Sequence, residues 1–302
     1  MKTLKILTFM LMVLAAGAAQ ADKVNVVASI PDLGVMAERI GGNRIDLTVL
    51  ASGREDLHGV PARPSFIPKL HKADLLLTLG LDAEHSWLPA LAAEARNPRI
   101  MEDREGWIEV FEGVTLEDVP EVISRAEGMQ HVEGNPHINI GPQNGRIMAE
   151  NIAYALMEFD PGSEEYYAAN LDAYAAELDA LAASLKERGQ ALQGHTVISY
   201  HADISYLARF YGFEVIGTLE PKPGIEPTAR HLAQLAKESR ARGVCLVIYN
   251  QSQPSKLPGK FADRVKAQAV MIGNMVGAVS GVDTWQELQE HNLRVLLEGL
   301  DH

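Results

Sequence analysis

The sequence predicts an α/β protein: two open, mostly parallel-sheet lobes joined by one long rigid helix. Three observations predict it. Short β-like runs alternate with helical patterns in the first half, the alternation stops mid-chain, and it restarts after residue 195. Alternating β and α segments build open parallel sheets with helices on both faces. A single long amphipathic stretch fills the gap between the two series. The chain has 302 residues, and the roughly 280 left after a leader suit two medium lobes better than one core.

Residues 1–21 read as a signal peptide. Lys2 and Lys5 make a basic start, residues 6–16 are apolar and uncharged, and Ala19-Gln20-Ala21 is a small-x-small cleavage site. The apolar run is shorter than the ~20 residues a bilayer span needs, and no later uncharged run approaches that length. The mature chain is expected to begin at Asp22.

The first lobe is expected over 22–159. Its β-like runs are 24–29, 45–50, 74–79 and 99–101, and its helical patterns are 32–40, 65–70, 83–95 and 145–158. Gly41-Gly42 stops the first helix. Residues 112–134 carry the least pattern and read as a surface loop.

A linking helix is expected over 160–192. Asp160-Pro161-Gly162 breaks the preceding helix, Ser163 is a good N-cap, and Glu164 and Glu165 sit at the positive end of the helix dipole. Tyr167, Leu171, Tyr174, Leu178, Leu181 and Leu185 then recur at spacings of four and three, one apolar stripe running to about Arg188. Such a helix is roughly 35–40 Å long, enough to act as a spine.

The second lobe is expected over 193–302. Its β-like runs are 196–200, 213–218, 244–249 and 269–272, and its helical patterns are 228–240, 256–266 and 284–300. Asp283 with Gln286 fits a capping box for the last helix.

Composition narrows the function. The net charge is −13, and removing residues 1–21 takes Lys2 and Lys5 and no acid, leaving −15. Nucleic acid is excluded as a partner, because phosphate binding needs clustered Lys and Arg. The acidic balance attracts cations, within the limits set by salt. The one cysteine, Cys245 in an apolar run, cannot form an internal disulfide. It reads as a buried strand residue. With no cysteine at the cleavage site, a freely diffusing exported protein is expected over a lipid-anchored one.

Three histidines carry the chemistry. His201 ends the run His195–Tyr200, which reads as a buried strand, and ligands of open α/β sheets bind outside the carboxyl ends of strands. His137 follows the turn pair Asn135-Pro136, and His58 lies in a Gly- and Pro-rich loop beyond the strand at 45–50. Converging neutral imidazoles make a site for a borderline divalent cation, zinc above all. The remaining histidines read as bland. His71, His85, His231 and His291 fall in or beside helical patterns, His195 starts a strand and is expected to face the lobe junction, His302 is terminal, and His131 lies close enough to His137 to visit a metal. Three histidines and a water would also suit a zinc hydrolase. Against that reading, there is no His-Glu-x-x-His helix and no evident general base.

Several motifs in order resemble the periplasmic metal-binding proteins of zinc and manganese ABC importers, over essentially the whole mature chain. Residues 23–30 with Gly41-Gly42 resemble the family's opening strand and helix. Asp56-Leu57-His58 before Pro64-Ser65 resembles its Asp-Pro-His loop. Lys72-Ala73-Asp74-Leu75 and Gly80-Leu81-Asp82-Ala83-Glu84 with Trp87 resemble its next strand and helix. Asn135-Pro136-His137 resembles its second ligand motif, and His201 with Tyr206 and Tyr211-Gly212 its third. Gly224-Ile225-Glu226-Pro227-Thr228 resembles the following Glu-Pro-Ser/Thr turn.

The resemblance implies a class III, or cluster A-I, periplasmic binding protein of the zinc type. His58, His137 and His201 would hold a transported Zn2+ in the cleft between lobes. The implied partners are an inner-membrane ABC permease and its ATPase, with a periplasmic metallochaperone as a further candidate. A monomer without enzymatic activity is expected; a manganese or iron carrier of the same fold is the alternative. This sequence departs from the family in three ways. No carboxylate stands where a fourth ligand is usual until Asp283, leaving the fourth position to water, Asp56, Asp283 or nothing, with Asn274 a weak donor. The histidine-rich loop of many zinc members is missing. Manganese-type members carry a carboxylate where His201 stands, and three imidazoles favour zinc over manganese, which prefers oxygen. Binding is expected to weaken below about pH 6.5 as imidazolium forms. Release is expected to depend on loops around His58 or His137.

Overall fold

The computed structural model describes residues 23–120 and 131–301. The leader read at 1–21 lies outside the described residues, as does the middle of the loop read at 112–134. The first sheet holds β1 (Val24–Ala28), β2 (Ile45–Val49), β3 (Leu75–Thr78) and β4 (Trp107–Glu109) in the order β2-β1-β3-β4. The second holds β5 (Thr196–Ser199), β6 (Glu214–Thr218), β7 (Leu246–Asn250) and β8 (Gln268–Ile272) in the order β6-β5-β7-β8. Every pairing in both sheets is parallel. Each sheet therefore winds one way from its first strand and then the other, and the reversal opens a crevice at the strand carboxyl ends.

Strands buried on both faces read as continuous apolar runs. Leu75, Leu76 and Leu77 of β3 are almost wholly buried, as are Leu246, Val247 and Ile248 of β7. In the first lobe α1 (Pro31–Gly41) covers its sheet with Leu33, Met36 and Ile40, and α2 (Ile67–Lys72) and α3 (Leu88–Ala95) add Leu70 and Leu88. Helix α4 (Gly145–Phe159) adds Ile152 and Leu156.

The spine is α5 (Glu164–Arg188). Tyr167, Leu171, Tyr174 and Leu178 join the first core, Leu185 joins the second, and Leu181 packs against both. Glu164 and Glu165 occupy its first turn and Lys186 and Arg188 its last, matching the helix dipole. Ser163 is the N-cap residue, but its side chain makes no capping hydrogen bond.

The second lobe adds α6 (Ser205–Tyr211), α7 (Ala229–Arg242), α8 (Lys256–Val265) and α9 (Trp285–Leu300). Helix α9 also ties the lobes. Trp285 and Leu288 sit in the first core, Leu293 and Leu296 in the second. No described helix is long and apolar enough to cross a membrane.

Five local expectations are corrected. The strand read at 99–101 is a 3-10 turn, Pro98–Ile100, capped by Asn97, whose side chain accepts from Arg99 N–H at 3.1 Å. Pro98 cannot donate to a ladder, and the fourth strand comes later, where Trp107 pairs with Leu76. The helix read from residue 83 starts at Leu88, with Trp87 as its N-cap residue and Pro89 in its first turn; a run of turns over 81–87, opened by Gly80, Leu81 and Asp82 at positive φ, precedes it. The last helix is boxed by Thr284 and Glu287, one residue beyond the Asp283 and Gln286 pair. Cys245 is half-buried, and His195 is exposed beside it, their Sγ and Nδ1 atoms 3.6 Å apart. His195 stands at the amino end of β5, away from the crevice.

Candidate metal site

The carboxyl ends of the two sheets bring three histidines to one point. His58 lies in a 3-10 turn, Leu57–Gly59, beyond β2. Asp56 caps that turn, its Oδ1 accepting from His58 N–H at 3.1 Å. His137 lies in the first lobe just before the 3-10 turn Ile138–Ile140. His201 follows β5 by two residues in the second lobe. Ring centroids are 5.0 Å apart for His58 and His137, 5.8 Å for His58 and His201, and 5.4 Å for His137 and His201. Among the described residues, these three each offer one ring nitrogen within 4.8 Å of the others.

Which nitrogen faces the centre is set by what holds the other. His58 Nδ1 lies 3.0 Å from the Ala83 carbonyl, His137 Nδ1 2.8 Å from Asn135 Oδ1, and His201 Nδ1 2.8 Å from Glu220 Oε2. All three partners can only accept there, so each Nδ1 carries a proton and each Nε2 presents a lone pair. Asn135 is oriented in turn, its amide donating to Asp118 Oδ2 at 2.9 Å and to the Ala202 carbonyl at 2.8 Å. The Nε2 atoms of His58 and His137 are 3.2 Å apart. In these tautomers no proton lies between them, and a cation placed there would satisfy both lone pairs. Two nitrogens bound to one tetrahedral zinc at 2.0–2.1 Å are about 3.3 Å apart.

Electrostatics keeps two of the rings neutral. Burial, then the neighbouring rings of His58, His201 and His131, holds His137 well below the usual imidazole range. Burial also lowers His58, with His201 and His85 adding to it against the opposing charge of Asp56. His201 goes the other way. Its burial is outweighed by the Glu220 hydrogen bond and the charges of Asp203, Glu220 and Asp56, which raise it. Of the three rings, His201 is therefore the one most ready to take a proton as pH falls.

Beside the rings lies a cavity of about 280 Å³ whose lining includes Asp56, Glu220, Glu226, Asn250 and Asn274. Asp56 faces it but spends one oxygen on the cap of His58. Asn274 also faces it, with Oδ1 taken by the Gln251 amide. Asp283 is exposed, and its N–H donates to Glu287 Oε2 at 2.9 Å. His131 stacks on His58 at 5.0 Å. Burial, then His58, His85 and His201, pushes His131 down to about 4.

The His58 turn is braced by the segment after β3. Trp87 Nε1 donates to the Leu57 carbonyl at 3.1 Å, and Ser86 Oγ donates to the His58 carbonyl. Glu84 anchors that segment from inside, accepting from Ser29 Oγ at 2.6 Å and Leu79 N–H at 3.0 Å. Burial pushes the Glu84 carboxyl up to about 7 from an ordinary 4.5. A raised carboxyl favours the fold fully below its unfolded value and loses that contribution as pH rises through about 7. The loss is about 3 kcal/mol. In metal-free protein, Glu84→Gln is expected to gain stability relative to wild type between pH 5 and pH 8. Denaturant melts of both across that range check it, and a difference that does not change with pH contradicts it.

Sequence reasoning missed Glu220 and the Ala83 carbonyl. Glu220 lies 19 residues from His201, and only the β5–β6 register brings them together. Asn135 had a signal, because an Asn two residues before a histidine can fold back on it.

The fold and the sequence find parallels among known proteins. The crystal structure of ZnuA superposes with a TM-score of 0.76 at 27% identity, covering 92% of this chain and 99% of that one. The iron-binding protein YfeA of Yersinia pestis is 27% identical over 80% of this chain and 73% of its own length. The manganese ABC transporter substrate-binding lipoprotein PsaA of Streptococcus anginosus is 23% identical over 94% of this chain and 91% of its own length. The family described as zinc-uptake complex component A, periplasmic, matches residues 26–299, which span both sheets, the spine and all three converging histidines. The chain belongs to this family of substrate-binding proteins, which bind metal and work with the permease and ATPase of ABC importers.

Proposed function

We propose that this protein captures Zn2+ through the Nε2 atoms of His58, His137 and His201 and delivers it to an inner-membrane ABC importer from the periplasm. One observation carries the reading: three imidazoles with their Nδ1 atoms held by acceptors turn three lone pairs on one point. The donor set supports zinc, because manganese and ferrous iron sites draw more on carboxylate oxygen. Water is proposed for the fourth position: Asp56 commits one oxygen to the His58 backbone, and Asp283 lies outside the cavity lining. The carrier reading is preferred to a hydrolase. Glu220 and Asp56 each commit one oxygen to placing a histidine, His201 through its ring and His58 through its backbone, and the family is one of transport components. The leader at 1–21 supports a periplasmic location. The lobes are proposed as 22–159 and 193–302 around the linker 160–192, with α9 shared between their cores.

Competition titration of metal-free protein among Zn2+, Mn2+ and Fe2+ tests the cargo. Zinc is expected to bind as one equivalent and to displace the other two. Manganese or ferrous iron binding more tightly than zinc would reassign the cargo within the family, as the names of YfeA and PsaA allow for those relatives.

A further inference from the structure

The three Nδ1 acceptors are not equivalent. His58 is held by a backbone carbonyl and His137 by an amide oxygen, whereas His201 is held by a carboxylate. That carboxylate is placed by the sheet. The parallel β5–β6 ladder continues past both strands, with Leu219 N–H donating to the Ser199 carbonyl at 2.9 Å and Glu220 N–H to the Tyr200 carbonyl at 3.0 Å. Thr218 Oγ1 donates to the Glu220 carbonyl, closing the turn. Glu220 thus stands directly beside the residue that precedes His201.

We propose that Glu220 is the positioning residue of the site. It locks His201 in the Nδ1–H tautomer, aims Nε2 at the metal, and raises the donor strength of the one ligand that the second lobe supplies. This inference rests on His201 being a zinc ligand.

Several features favour a specific role over general support. The second lobe reaches the metal through His201 alone among the three rings, so its angle sets how that lobe engages the cation. His58 and His137 have backbone neighbours or an Asx turn to hold them. Among the described residues, the His201 ring is held by its hydrogen bond to Glu220. A carboxylate accepting from a ligand imidazole makes the bound nitrogen more basic, and loss of such a partner typically weakens metal binding about 10–100-fold.

The test uses Glu220→Ala, Glu220→Gln and His201→Ala in the full mature chain. Zinc affinity is read by competition with a chromophoric chelator, and ring ¹⁵N NMR reads the tautomer of each histidine in metal-free protein. Glu220→Ala is expected to weaken zinc about 10–100-fold and to give His201 a mixed tautomer, with His58 and His137 unchanged. Glu220→Gln keeps an oxygen acceptor and is expected to restore the Nδ1–H tautomer with an intermediate affinity. Thermal melts of metal-free Glu220→Ala are expected to match wild type, separating positioning from folding. Wild-type zinc affinity in Glu220→Ala, or an unchanged His201 tautomer, overturns the proposal provided that His201→Ala loses tight binding. Tight binding that survives His201→Ala overturns the three-histidine reading and this inference with it.

Discussion

His137→Ala is expected to abolish tight zinc binding while leaving the fold intact. His137 is the most enclosed of the three rings, with 5% of its surface exposed. Its Nε2 lies 3.2 Å from that of His58, so its removal takes away one member of that facing nitrogen pair. The loss is expected to exceed the roughly 10–100-fold that an outer partner costs, because a direct metal–nitrogen bond disappears. The turn itself survives, since Asn135 Oδ1 still accepts from the backbone N–H of residue 137 at 3.0 Å. Chelator competition beside circular dichroism checks both halves. Wild-type affinity in a folded His137→Ala would remove the ring from the site.

Trp285→Ala is expected to cause the largest loss of stability among single changes near the site, about 3–5 kcal/mol. The indole is wholly buried at the start of α9, and it fills the space left by Gly145, where a Cβ would lie 2.4 Å from the ring. Its Nε1 donates to the Asn139 carbonyl at 2.7 Å. Asn139 also donates to Asp32 Oδ1 at 3.0 Å and to the Asn274 carbonyl at 2.8 Å. One ring therefore supports the segment after His137, the start of α4 and the join between lobes. Urea unfolding of the metal-free variant measures the loss; a change under 1 kcal/mol, typical of an exposed residue, would contradict this packing account.

The parts of the molecule visible in the sequence are those governed by local periodicity. The stripe from Tyr167 to Leu185 marked the spine because helix spacing alone fixes which side chains share a face. The run ending at Tyr200 placed His201 at a strand end for the same reason. Failures came where two local choices were nearly equal. Asp283 and Thr284 are both good caps with an acceptor three residues on, and Glu287 decides between them by accepting from both N–H groups at 2.9 Å. Strand β4 is only three residues long, too short for a period to register. Glu220 and the Ala83 carbonyl depend on register and on a left-handed turn, which no window of sequence encodes. The convergence of His58, His137 and His201 is likewise non-local, and it was approached through their family motifs and through the strand-end rule.

On the proposed function, one zinc ion sits between three Nε2 atoms contributed by both lobes. Anomalous diffraction at the zinc edge from zinc-loaded crystals tests it most directly. One peak is expected about 2.0–2.1 Å from Nε2 of His58, His137 and His201, with each Nδ1 still against its acceptor. A peak bound through Nδ1, or one held by His85 and His131 away from His201, would contradict it.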